Sequence, residues 1–465
     1  MRRRIAAFVG PCWYLAVLGE AHRLIDYIRQ SEKDLGEALD LDEDLWISRI
    51  VCQDHWYLSQ ISNMPIEATE GMEVFHIQPP QTIHKIIAST DQIGVRWIQF
   101  LDRETTPTQD QSPWYEIYDV DDFEPRLWVV HGRVIIKRIE IDDDEATRLL
   151  PSTWTSPNTP IFHPLQNICC PCHLQEAKFH HMKLGPPVEG ILVVRAGAYN
   201  IVGIHNFSGR NKAFWEFLEQ VHARRGPWTD PSLYWFYFPL NDQEDILMVW
   251  DRQLKHPDGR TNFDGLIVSA SISYLISWTD RLGTNILREG YDIRSISGII
   301  HDGMDLRFPS VTVFGVTCHS PHDGETRAPV PVRYASGPPG AHPGEDLVPW
   351  YMTKATLRGV TRVQVCRDRT QSHHPCLGIL MFYADGHIES NGQIRWDYGL
   401  DEEICSPFVV ASGAVNEKDT IKDIRNAEDP VVATVHRGEW EPLPSQGILA
   451  WWFSELGDRL AFYYE

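Results

Sequence analysis

The sequence lacks every compact signature of a named chemistry. It has no Gly-x-Ser-x-Gly elbow, no His-Glu-x-x-His pair, no phosphate loop and no dinucleotide-binding glycine pattern. The glycines of "GPPGAHPG" (337–344) are interleaved with prolines, which remove the amide donors a phosphate cradle needs. Cysteine is scarce, at nine in 465 residues, and scattered without a framework. That excludes a disulfide scaffold and leaves at least one thiol free, so a reducing, cytoplasmic setting is expected. Positive charge is short as well. Lys and Arg number 42 against 64 Asp and Glu, a formal charge of -22. A chain so acidic lacks the basic face that nonspecific binding to nucleic acid or an anionic membrane requires. No apolar run approaches the roughly 18 residues of a spanning helix, so no membrane span is expected. The N-terminal "MRRRIAAFVGPCWYLAVLGEA" has a basic start, an apolar run from Ile5 to Leu18 and small residues at Gly19 and Ala21, which keeps secretion open. Against that, Pro11 interrupts the run, and Leu24, Ile25 and Ile28 continue an apolar face beyond it.

What is present is the composition of a globular protein, with 43% hydrophobic and 23% charged residues. The length predicts about two to four domains. Residues 12–60 carry apolar residues at near-helical spacing, notably in "LWISRIVCQDHWYL", and predict a helical N-terminal segment over 1–68. Asp40, Asp42 and Asp44 begin like a calcium loop, but Leu45 stands where the invariant glycine belongs and Val51 where the closing glutamate belongs. From about residue 69 to 150 the period changes to two. "TIHKIIAST", "GVRWIQFLD", "PWYEIYDV", "RLWVVHG" and "RVIIKRIEI" form a β-meander. A second β unit, 160–318, contains one helix. Phe214, Phe217, Leu218 and Val221 share a face near 211–225, with Ser208 or Asn211 to cap its start and Gly226-Pro227 to stop it. A Pro/Gly-rich loop or linker (319–349) then leads to a C-terminal β unit, 350–465. The fold class expected is mainly β, antiparallel, in sandwich- or prism-like units, with a short N-terminal helical segment and that one helix.

The clearest local pattern is "CLGILMFYADGHIESNGQIRWDYGLDEEI", 376–404. "GILMFY" is a continuous apolar run and predicts a strand buried on both faces. "ADG" supplies a hairpin turn in which Gly386 takes positive φ and Asp385 bonds its own backbone. Alternation places His387 and Glu389 on an exposed side of the return strand.

Two constellations could carry chemistry. In "CCPCHLQEAKFHH", Cys169 and Cys172 are two residues apart, and His180 and His181 could complete a four-ligand zinc site. The competing reading is a bulge with buried thiols and a solvated histidine pair. The second is aromatic. The sequence holds 17 Trp, and several stand beside Tyr or a carboxylate. Trp114, Tyr115 and Glu116, and Trp396 and Asp397 with the turn residue Asp385, are the candidate ligand-binding residues, since rings stack on flat ligands and carboxylates take hydroxyls. For any one of these Trp residues the favoured reading is that it fills space between sheets. His301-Asp302 and His322-Asp323, each followed by glycine, read as turns rather than as a catalytic pair.

The order of a strand, "GILMFY", "ADG", a lone Gly392 and "EEI" resembles the repeat of jacalin-like lectins, which are β-prism carbohydrate binders. It covers about 50 residues. The Gly-x-x-x-Asp sugar loop of those lectins has no counterpart in "GDRLAFYYE", where Ala461 stands four residues after Gly457 in place of the Asp. The chain at large resembles β-rich proteins of filamentous fungi, through "STDQIGVRWIQF" (89–100), "YFPLNDQED" (237–245) and "LAWWFS" (449–454). That resemblance implies fold and lineage and no activity. The expectation is a non-enzymatic, lectin-like protein that binds carbohydrate or another small polar ligand. An enzyme of fungal specialised metabolism with a β-walled pocket, and a scaffold in a larger assembly, are the alternatives.

Overall fold

The computed structural model describes residues 38–464, apart from 121–124, 133, 143–147, 150, 161–162, 165–177, 198–199, 225–232, 242–247, 256–260, 270–283, 288–289, 292–295, 304–310, 312–313, 319–324, 327–337, 339–349, 417 and 435–439. The basic N-terminus, Cys169, Cys172, His322-Asp323 and most of the Pro/Gly-rich loop lie outside the described residues. The protein is mainly β: of the described residues, 56% are in strands and 6% helical, and among them the sheets are antiparallel but for a single parallel bridge. The chain divides into two compact units, 1–159 with 170–178, and 160–169 with 179–465.

Over 45–62 the first unit forms a hairpin where a helix was expected. Leu45–Cys52 (β1) and His55–Ser62 (β2) pair antiparallel, and Met72–Ile77 (β3) pairs the other side of β1. The turn is Gln53-Asp54, with φ of 51° and 63°, the two positive values a primed two-residue turn requires. The helical spacing has a local cause. A bulge near Ser48 and Arg49 shifts the pairing by one residue, so Leu58 and Ile61 both reach the core at a spacing of three. Lys85–Thr90 (β4) lies between Val95–Leu101 (β5) and Trp114–Asp119 (β6). Arg126–His131 (β7) and Ile136–Asp142 (β8) form a further hairpin. Alternate residues of these strands, among them Ile47, Leu58, Ile86, Ile98, Leu127 and Ile139, make one core. The motif at 89–96 is structural. Asp91 accepts the Ile93 and Gly94 amides (2.7 and 3.2 Å) and the buried Tyr57 hydroxyl (2.6 Å), which fixes the β4–β5 turn.

Strand Lys178–Lys183 (β9) starts on the last residue of the first unit and runs into the second, where it is followed by Gly190–Ala196 (β10), which lies between Asn200–Phe207 (β11) and Leu233–Pro239 (β12). Between the last two comes Lys212–Arg224 (α1). The Asn211 side chain accepts the Phe214 amide at 3.1 Å and so caps the helix, and its own amide donates to Ser208 at 3.1 Å. Its apolar face, Phe214, Phe217 and Val221, lies on β11 at Gly203, where a Cβ would come within 2.7 Å of Phe217. Ile296–His301 (β13) pairs with β9 and with Phe314–Cys318 (β14).

The C-terminal sheet is built from Tyr351–Thr356 (β15), Val360–Arg367 (β16), Cys376–Tyr383 (β17), Ile388–Gly392 (β18), Phe408–Val415 (β19), Lys418–Asn426 (β20), Ile448–Ser454 (β21) and Gly457–Tyr463 (β22). Its order is β15-β21-β22-β20-β17-β16, with β18 paired to β17 and β19 to β20. Period two divides β10 and β17 between two cores. Ile191, Val193, Ile379 and Met381 enter one with Trp451 and Phe453. Leu192, Val194 and Leu380 enter the other with Phe217 and Trp235. Burial on both faces is what the unbroken apolar runs of these strands required.

Candidate functional site

The expected ligand residues are distributed over both units, and most have internal partners. In the first unit, Tyr115 is fully buried and its hydroxyl donates to Asp110 at 2.7 Å. Against the cost of burial, hydrogen bonds from Tyr115 and Ser89 hold the Asp110 carboxyl below its ordinary range. The Trp114 ring carries the Lys178 ammonium 4.7 Å from its centre, and Glu116 is half-buried beside it on β6. In the second unit, Trp396 stacks on Phe207 (4.4 Å) and meets the edge of Tyr237 (5.2 Å), so it packs as a core residue. Asp397 takes two hydrogen bonds from Arg395, at 2.9 and 2.5 Å, and Arg395 also lies over Trp235 and Tyr398.

The β17–β18 turn has the expected hairpin form. Gly386 has φ of 93°, and Asp385, 69% exposed, accepts the His387 amide at 3.2 Å. His387 and Glu389 are not exposed as alternation alone predicts. The His387 ring stacks on Tyr383 at 3.8 Å. Glu389 lies 2.5 Å from the Tyr383 hydroxyl and accepts the Thr356 amide at 3.1 Å. The bond from one strand to the next pulls the carboxylate inward, because its acceptors satisfy donors that the strand ends leave open.

His180 and His181 are successive residues of β9, so they face opposite sides of the sheet. His181 contacts Thr317 (3.3 Å). His180 is opposite His301 of β13, with ring centres 5.3 Å apart. His205 of β11 is stacked on Phe217 at 4.8 Å. Burial pushes His180 and His205 down to about 4, and His301, fully buried, well below its ordinary value, so all three are neutral at pH 7. His301 Nδ1 accepts the Gly303 amide at 3.0 Å, which puts the proton on Nε2. That Nε2 is buried without a hydrogen-bond partner among the described residues. Among the described residues, no three His, Cys, Asp or Glu side chains are grouped to hold a metal ion.

The first unit holds a feature that the sequence did not single out. The Arg49 guanidinium lies 4.8 Å from the Trp56 ring centre, 4.7 Å from Phe75 and 5.4 Å from Trp97. Phe75 and Trp97 meet edge to face at 5.3 Å. All three rings are half-buried, and Val51, beside Trp56 across the hairpin, is 52% exposed. Arg49 is held by Glu73, whose Oε2 takes both Nε (2.7 Å) and Nη2 (2.6 Å). Four strands contribute one residue or more to this rim, from segments up to 48 residues apart (Arg49 to Trp97). The available signal was alternation. Read as a hairpin, the stretch puts Arg49, Val51 and Trp56 on one face.

The sequence matches no protein-family model and no curated protein.

Proposed function

We propose that this is a lectin-like binding protein for carbohydrate or a similar small polar ligand, and that the aromatic rim around Arg49 is its ligand face. The observation that carries the reading is the conjunction at one rim of three half-exposed rings with a fixed cation and carboxylate. Aromatic faces stack on the C–H face of a sugar ring, and fixed charged groups orient its hydroxyls. The mainly β architecture supports it, since antiparallel sheets leave edges and turns free for recognition, as does the resemblance of 376–404 to jacalin-like lectin repeats. A glycan array with the full chain tests it, followed by Trp97→Ala. Trp97 packs on the edge of the core, so the variant is checked for folding by its melting curve. The expected result is loss of glycan binding in a folded variant. An array without binders, joined to an unchanged melting temperature across a sugar panel, counts decisively against the reading.

The enzyme reading has one observation behind it, the buried neutral histidines His180, His205 and His301. Perturbed titratable groups cluster at catalytic sites as well as in structural networks. Comparison of metabolites from deletion and parent strains separates the two readings, because only an enzyme leaves a missing product and an accumulating precursor.

A further inference from the structure

Arg49 and Glu73 form an unusual pair for a surface ion bridge. The guanidinium binds through Nε and Nη2 to a single carboxylate oxygen, Oε2. Among the described residues, no partner is found for Arg49 Nη1 or Glu73 Oε1. The pair therefore keeps one strong donor and one strong acceptor unspent, fixed relative to each other by the ion pair. Trp56, Phe75 and Trp97 surround the guanidinium and restrict where it can move. The side chains stay accessible, at 27% for Arg49 and 44% for Glu73.

Resting on the carbohydrate reading above, we infer that this rim recognises a vicinal diol of a pyranose. One hydroxyl accepts from Arg49 Nη1, the adjacent one donates to Glu73 Oε1, and the C–H face of the sugar lies against an aromatic ring of the rim. The chemistry favours this over the other small ligands. A lone anion would find Glu73 repelling it within the same pair, and a lone cation would find Arg49. A neutral molecule with adjacent hydroxyls satisfies both groups at once. Hydrogen bonds with an ionised partner are stronger than neutral ones, so the pair would discriminate against a ligand that lacks either hydroxyl.

The test uses the full chain and the methyl glycosides of glucose, mannose and galactose, each with its monodeoxy analogues, followed by saturation-transfer NMR and titration calorimetry. The expected result is at least a ten-fold loss of affinity when one hydroxyl of a single vicinal pair is removed, with the strongest saturation on C–H protons of one sugar face. Glu73→Gln is expected to weaken the parent glycoside by about ten-fold with little change in melting temperature, because exposed ion pairs contribute little to stability. Deoxy analogues that all bind as tightly as the parent overturn the diol inference without needing any variant. Unchanged binding by folded Glu73→Gln overturns it too, and in both cases the carbohydrate reading survives. No binding of any glycoside by the wild-type chain removes both.

Discussion

At the scale of single residues, the β17–β18 turn shows what a local sequence signal can and cannot deliver. "ADG" announced the turn, the positive φ of Gly386 and the bond from Asp385 to its own backbone, because these depend on neighbours within two residues. The inward Glu389 depends on Tyr383 and Thr356, and the second of these is 33 residues away, so no local pattern shows it. A Cβ at Gly386 would meet nothing within 4 Å. Gly386→Val is therefore expected to destabilise through backbone strain alone, by at least about 1 kcal/mol in a denaturant titration. Asp385→Ala, in contrast, is expected to lower the melting temperature slightly and to leave ligand affinity untouched. Lost affinity in a folded Asp385→Ala protein would make the turn a binding edge instead. The Trp residues fall on the same divide. Trp396 beside Asp397 was legible as a pair, yet its stacking on Phe207 is a contact across 189 residues.

Among the elements, α1 was legible almost to its ends because its signals are periodic and local. The spacing of Phe214, Phe217 and Val221 and the cap at Asn211 all lie within eleven residues. Hairpin β1–β2 was misread because a bulge imitates helical spacing, and the β-branched and aromatic residues that favour a strand were outweighed by that spacing. The α1 contact gives a sharp test. Phe217 is buried against Gly203 and stacked on His205. Phe217→Ala is expected to cost about 3–5 kcal/mol in chemical unfolding, as other large aromatic truncations do. A cost below about 1 kcal/mol would mean that the helix is not anchored on the sheet as described.

For the whole molecule, the class was legible and the pairing of distant strands was not. Mainly β, antiparallel architecture follows from alternation repeated along the chain, while the order β15-β21-β22-β20-β17-β16 joins segments about a hundred residues apart. The charge of the molecule gives a stability profile with a definite sign. His180 and His205 titrate near 6.5 unfolded and about 4 folded, both lowered by burial. Between those values the unfolded chain binds more protons, so stability falls as pH drops. Asp458 does the opposite. Desolvation pushes its carboxyl up to about 7, against a bond from Trp451 Nε1 at 2.9 Å, although the residue as a whole is only half-buried. From about 4 to 7 the folded state holds that proton and the unfolded state does not, so stability falls as pH rises. With His301, lowered further still by burial, three histidines stand against one carboxyl, so stability rises with pH between about 4 and 6.5. Above that, only the Asp458 loss continues, to about pH 7. Unfolding of the second unit is thus expected to show greatest stability near pH 6.5, and a curve that rises steadily towards acid would refute the assignment. The long-range pairing has a further consequence, for biosynthesis. Strand β15 closes on β21, almost a hundred residues later, and Trp451 and Phe453 complete the core that β10 and β17 begin. A ribosome adding about 5–20 residues per second must therefore leave the apolar edge of β15 unpaired for several seconds or more. During that interval the nascent second unit presents apolar surface to chaperones, whereas the first unit, whose chain is complete at residue 178, can finish folding before β15 is made.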